Sequence, residues 1–338
     1  MRILLDKSKK FYKTNLHCHT VNSDGTLTPE RIKEEYKARG YSAVAFSDHE
    51  HLIDNSHLTD GEFVAITACE IAIKELPTGS TRTHPLMRAT HLCLYAKDAH
   101  NVLTPCYSSI YDHFITPSVE GRIHHDGEYE RVYSKEGVSE IVRLAHRAGF
   151  LVCYNHPSWS LESAEQYLGY EGIDFVEILN TGSVIKGLQD DEAALAELHL
   201  GGHRVYCTAA DDNHNREPLD SPQSDSFGSF VMINAPVLSY DSLISALVRG
   251  EFYASQGPEI CSLILDGDTV HIECSPSRRI SLISRGRRSM AKCAPRGEAL
   301  SSASFKLRPD MDAFRIKIED SEGKRAYSQL YYLDELAD

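Results

Sequence analysis

The chain has no signal-peptide pattern at Met1–Lys10 and no apolar stretch near the length of a membrane span in its 338 residues. A soluble, cytoplasmic protein is the expectation. It also lacks any C-x-x-C pair, and its nine cysteines are an odd number. A disulfide framework and a thiolate zinc knuckle are therefore not expected. Cys18, Cys69, Cys93 and Cys153 fall in apolar runs and read as small buried hydrophobes. Positive charge is in deficit, with 35 Lys and Arg against 49 Asp and Glu and a formal net charge of −14. Binding to duplex nucleic acid, which draws its affinity from basic groups on phosphates, is not expected. No internal repeat and no low-complexity tract occurs.

Imidazole and carboxylate, by contrast, are plentiful. His17-Cys18-His19 ends a short apolar run, and Asp24, Asp48-His49, Glu70, His91, His156-Pro157 and Asp211-Asp212-Asn213-His214 follow. This ligand chemistry suits a borderline or hard divalent cation such as zinc, manganese or iron. Nearly every candidate lies at the C-terminal end of a segment that reads as a buried strand: Thr14–Thr20, Ala43–His49, Phe63–Ile71, Ala89–Ala96, Phe150–Pro157, Phe175–Thr181 and Arg204–His214. Helix patterns lie between several of them. Thr28 reads as an N-cap, Pro29 as the first helical residue and Gly40 as the stop. Val138–Ala148 and Leu188–Leu200 end before glycines in the same style.

Strands alternating with helices predict a parallel sheet. With the ligands gathered at one end, the expected α/β fold is a closed barrel carrying its site on the C-terminal face, and a doubly wound open sheet is the alternative. Residues 1–255 form this unit, with an insertion at about 98–133 that shows little periodicity. His113, His124, His125, Arg122 and Arg131 lie in that insertion as solvated loop residues, or else as a lid with a phosphate-binding arginine. Residues 256–338 read as a small antiparallel β unit, with hairpin turns at Leu265–Asp268 and Asp320–Lys324. Its Arg285, Arg287 and Arg288 read as a solvated edge.

Leu16–Thr20, Ser47-Asp48-His49, Glu70, His91, Asn155-His156-Pro157 and Asp212-Asn213-His214 together resemble, in order and spacing, the polymerase and histidinol phosphatase (PHP) family. Gly172–Asn180, Thr208–His214, Tyr253–Pro258 and Phe314–Leu330 resemble its branch named for the carbaryl hydrolase CehA. The resemblance implies a distorted seven-stranded β/α barrel, two or three divalent ions (Mn, Fe or Zn) and phosphoester hydrolysis. It also implies a ligand set. His17, His19, Glu70 and Asp212 hold one ion, and Glu70 bridges to a second bound by His91 and His156. Asp24, His49 and His214 hold a third. A hydroxide bridging the ions, kept in place by Glu70 and Asp212, is the implied nucleophile. Asp48, Glu177 and Asn180 are expected to orient ligands or substrate. Asp24 stands where histidinol phosphatases carry histidine, and Glu50-His51 where relatives of the branch commonly have Asn-Thr.

Taken residue by residue, Asp211 competes with Asp212 for the ligand role. His51, His57, His84, His146, His199 and His203 read as surface or helix residues. The expected function is hydrolysis of a small phosphorylated metabolite, with no nucleic-acid or membrane partner. Hydrolysis of a carbamate or carboxylic ester is the second reading, and a non-catalytic metal-binding interaction module is the third.

Overall fold

The structure is a computed structural model that describes residues 1–75 and 87–336; His84 lies outside the described residues. Its centre is a run of seven strands, all but the first almost wholly buried. They are β2 (Lys10–Asn15), β3 (Ala43–Phe46), β4 (Val64–Lys74), β5 (Ala89–Ala96), β6 (Phe150–Tyr154), β7 (Phe175–Asn180) and β8 (Tyr206–Ala210). They lie side by side in the order β8-β7-β6-β5-β4-β3-β2. Strands buried on both faces are apolar throughout, as in Ala43-Val44-Ala45-Phe46, so their cue is composition rather than alternation.

The expectation of a uniformly parallel sheet fails at one strand. β5 runs antiparallel to both neighbours, with Glu70 opposite Cys93 on β4 and Leu94 opposite Val152 on β6. The 14 residues between Lys74 and Ala89 are enough for a crossover, so the length of this link does not set the direction of β5. Closure is also narrower than a full barrel ladder. Just past β2 and β8, Cys18 and Asn213 form a single parallel bridge. His19 N donates to Asn213 O at 3.0 Å and Asp212 N to His17 O at 3.0 Å.

The helices follow their sequence cues. In α1 (Pro29–Ala38), Thr28 accepts from Arg31 N at 3.2 Å, and Gly40 takes φ 78° just beyond the end. Its Ile32 and Tyr36 are fully buried. The Tyr36 hydroxyl reaches across to donate to Asp211 Oδ2 at 2.8 Å, tying this helix to the end of β8. α2 (Lys135–Arg147) starts earlier than the pattern suggests because Ser134 caps it through Gly137 N. α3 (Glu192–Leu200) starts later, with Asp191 as its first flanking residue.

From β2 the sheet continues outward through β9 (Phe230–Ala235) and β10 (Phe252–Ser255) into antiparallel strands of the C-terminal region. β11 (Ile260–Asp266) and β12 (Thr269–Ser277) make the expected hairpin, with Gly267 at φ 57° in its turn. One strand of this region was not foreseen. β1 (Arg2–Leu5) pairs with β11, so the first residues of the chain complete a C-terminal sheet. Leu5, Leu263, Ile272 and Phe314 share the core beneath it. Arg285 and Arg288 pair with Asp312 and Asp310 at the surface. Among the described residues no helix is long and apolar enough to cross a membrane.

Candidate metal centre

Glu70 and His91 lie within β4 and β5, the other candidate ligands sit beyond the strands on the loops that leave them, and the backbone of those loops is unusual. His156 has φ 27° and Asp212 φ 52°, a left-handed conformation that non-glycine residues seldom adopt. Gly25 lies so close to the first ligand turn that a Cβ would come within 2.5 Å of His19 O. Only glycine lets the loop bearing Asp24 pack there.

Glu70, on β4, is at the centre. Around its Oε1 stand His91 Nδ1 at 3.1 Å, His156 Nε2 at 3.2 Å and His17 Nε2 at 3.3 Å, while Asn155 Nδ2 donates at 2.8 Å. Its Oε2 faces a different pair, His49 Nδ1 at 3.1 Å and His19 Nε2 at 3.5 Å. Asp212 Oδ1 lies 3.1 Å from His19 Nε2 and 3.3 Å from His17 Nε2. Further out, Asp24 Oδ1 is 3.3 Å from His214 Nε2, 3.7 Å from His49 Nε2 and 4.0 Å from His19 Nδ1.

Three sets have ligand atoms within 4.8 Å of one another: His17-Glu70-His156, His17-His19-Asp212 and His19-Asp24-His49-His214. The structure thus brings all nine candidate ligands into one cluster but groups them differently from the implied scheme. His156 sits with His17, and His19 belongs to both remaining sets. His91 touches Glu70 without joining any set.

Electrostatics favour ligand-ready carboxylates. Burial pushes Glu70 towards the neutral acid, but the charges of His91 and His17 outweigh it and hold the carboxyl well below its usual range. Asp212 is held down in the same way, burial opposing His17 and His19. His49 moves well below the ordinary imidazole value, first through burial and then through the charge of His19, which leaves a nitrogen lone pair free. Imidazole and carboxylate donors at these distances fit a divalent cation. Buried His19 Nδ1 has no hydrogen-bond partner within the protein. Orphaned atoms of this kind cost about 1–3 kcal/mol each unless something binds them.

The supporting residues have clear places. Glu177 Oε1 lies 3.2 Å from His17 Nδ1, and its Oε2 accepts from Asn180 Nδ2 at 2.8 Å and from His156 N at 3.2 Å. Asn180 Nδ2 also reaches Asp212 Oδ2 at 3.2 Å. Both residues are buried, contact candidate ligands and do not line the pocket. Asp48 braces the first loop, accepting from Thr20 N at 2.7 Å and Ser23 Oγ at 2.8 Å. Asp211 is taken up by other donors, Tyr36 Oη and Thr181 Oγ1 at 2.8 Å and the backbone of Phe227 and Gly228. That leaves Asp212 to face the cluster.

Several expectations need correction. His51 is buried and lies outside any helix, whereas His199 lies in α3 as expected, on its buried face. Arg131 is no phosphate-binding lid residue. Its guanidinium is 1 % exposed, lies 2.6 Å from Glu50 and donates to Cys106 O and Ala72 O at 2.8 Å, pinning the insertion to β4. Sequence reasoning missed the pocket walls: Lys74, Lys186 and Arg216 as cations, and Phe114, Trp159, Met87, Leu161 and Leu188 as apolar surface. Arg216 had one usable signal, its place two residues after His214; its guanidinium lies 2.8 Å from Asp24 Oδ2.

No protein-family model matches the chain, and no curated protein matches it. Solved structures do. A two-domain protein of Bacteroides vulgatus, described as containing a predicted PHP-like metal-dependent phosphoesterase, matches at 12% identity over 97% of this chain and 96% of its own, with TM-score 0.46. A Bifidobacterium adolescentis protein assigned as a metal-dependent phosphoesterase matches at 17% identity over 62% of this chain and 91% of its own, with TM-score 0.36. An amidohydrolase of Chromobacterium violaceum matches at 14% identity over 60% of this chain and 87% of its own, with TM-score 0.38. Likenesses this distant concern shape and say nothing about the reaction of this chain.

Proposed function

We propose that the chain is a divalent-metal-dependent hydrolase of a small phosphoester. The observation that carries this reading is Glu70, whose two oxygens face two different imidazole sets at 3.1–3.5 Å on the floor of a pocket. A carboxylate so placed suits neighbouring cations, which His17 and His156 would hold with Glu70 on one side and His17, His19 and Asp212 on the other. Asp24 and His214 extend the set towards a third. The curl of seven strands, with its ends joined at Cys18 and Asn213, is what brings the first and last ligand turns together.

Bound cations of this type acidify water and offset negative charge that develops on the ester. The protein residues do the rest. Glu177, close to His17 Nδ1, turns the Nε2 of that ring towards Glu70. Arg216 and Lys186 line the pocket with positive charge and draw an anionic substrate to the cluster. Phe114 and Trp159 narrow the mouth and limit water. No paired serine or cysteine nucleophile is required.

Hydrolysis of a carbamate or carboxylic ester is the second reading, favoured by the apolar share of the pocket wall, Met87, Leu161 and Leu188. A turnover screen of metal-reconstituted protein decides between them, with phosphomonoesters, phosphodiesters and carbamates of matched leaving group side by side. Preferred hydrolysis of a phosphoester, lost on chelation and restored by manganese, iron or zinc, is the expected result. Full turnover by metal-free protein, or preference for the carbamate, overturns the phosphoesterase reading.

A further inference from the structure

The ligand cluster explains the floor of the pocket, a cavity of about 540 Å3, but not its walls. Two aromatic rings stand over that floor on opposite flanks of Glu70. Trp159, the single tryptophan of the chain, is 39 % exposed. Its ring centre lies 4.7 Å from that of His91 and 5.0 Å from that of His156, both of which serve Glu70 Oε1. Phe114, half-buried, lies 4.3 Å from His49, which serves Glu70 Oε2.

The segments that carry both rings are fastened to the fold. Trp159 N donates to His156 O at 2.9 Å, and the next residue accepts from Ala89 N at 3.2 Å. Ser158 N donates to buried Asp191 at 2.8 Å. The Phe114 segment comes from the insertion, which is fastened at two points. Thr116 Oγ1 donates to Val21 O at 3.0 Å, and the buried Glu50–Arg131 pair anchors the far end. Large, rigid and half-open rings over a polar floor make a slot with an apolar upper part and a charged lower part.

Resting on the hydrolase reading above, we propose that Phe114 and Trp159 are specificity residues that grip a planar aromatic group of the substrate, next to the ester bond over Glu70. The preferred substrates are then aryl or heteroaryl esters rather than short alkyl ones. Arg216 and Lys186, on the same wall, receive the anionic end.

The test compares two ligands with the same head group, phenylphosphonate and methylphosphonate, on the metal-loaded full chain. Calorimetry gives both affinities, and fluorescence of the lone Trp159 reports the ring directly. Phenylphosphonate is expected to bind at least about tenfold more tightly and to quench the indole. Phe114→Ala is expected to weaken phenylphosphonate about fivefold and leave methylphosphonate within twofold, while Phe114→Tyr retains the preference. Equal affinity of the two phosphonates, or variants that weaken both alike, overturns the proposal. A benzoate and acetate pair separates it from the phosphoester reading. If neither phosphonate binds but benzoate outcompetes acetate and loses that advantage in Phe114→Ala, the aromatic slot stands and the phosphoester assignment falls. No aryl preference in either pair overturns the slot itself.

Discussion

Glu70 and Asp24 are both carboxylates ringed by imidazoles, yet Glu70 is 1 % exposed and Asp24 31 % exposed. The inner ligands are held by buried neighbours that accept or donate to them: Glu177, Asn155 and Asn180. The outer one is held by Arg216, itself 63 % exposed, at 2.8 Å. A surface ion pair is worth little and is screened by salt, whereas a buried polar network orders its members strongly. On the proposed metal reading, the inner positions should keep their cations and the outer position should exchange one, because Arg216 already pairs with Asp24 and would compete with a cation for it.

That contrast is open to direct attack. Glu70→Gln should have the largest effect, a fall in turnover of at least about a thousandfold with loss of the inner metals. Metal analysis beside single-turnover kinetics measures it, and retained stoichiometry would show that Glu70 is not the bridge. Asp24→Asn should remove the outer ion alone and lower kcat by about ten- to a hundredfold, leaving inner stoichiometry intact. Glu177→Gln should weaken inner metal affinity by about ten- to a hundredfold, with kcat at saturating metal less affected. A change in kcat with unaltered metal affinity would contradict its positioning role.

The pattern of legibility follows the same inner and outer division. The candidate ligands could be read from their order and spacing along the chain, whereas a single polar residue such as His91, near the start of β5, carries little by itself. The reversal of β5 could not, since its composition is that of any buried strand and a link of 14 residues from β4 fits either direction. The walls Phe114, Trp159 and Arg216 gain meaning only from the fold, and the indole of Trp159 in sequence is one more aromatic residue. Burial misled in the opposite sense at His51 and Arg131, the latter paired with Glu50 far away in the chain.

The smallest expected effect lies away from the cluster. Burial holds the His199 imidazole down at about 4, although Val205 O lies 2.9 Å from its Nε2. A folded value below the unfolded 6.5 means that the unfolded chain takes up the proton first. Stability is then complete above about pH 6.5 and lost as pH falls towards 4, by about 2 kcal/mol between pH 7 and pH 5. Denaturant unfolding of metal-free protein at those two pH values measures it. His199→Gln should flatten this acid limb, and an unchanged limb in the variant would assign it to other groups.

Anomalous diffraction from metal-soaked crystals, collected above and below the manganese or zinc edge, tests the bridging role of Glu70 most directly. The account predicts two strong peaks within coordination distance of Glu70, one at each oxygen, and a weaker third between Asp24 and His214. A single peak, or peaks that leave either Glu70 oxygen uncoordinated, would contradict it.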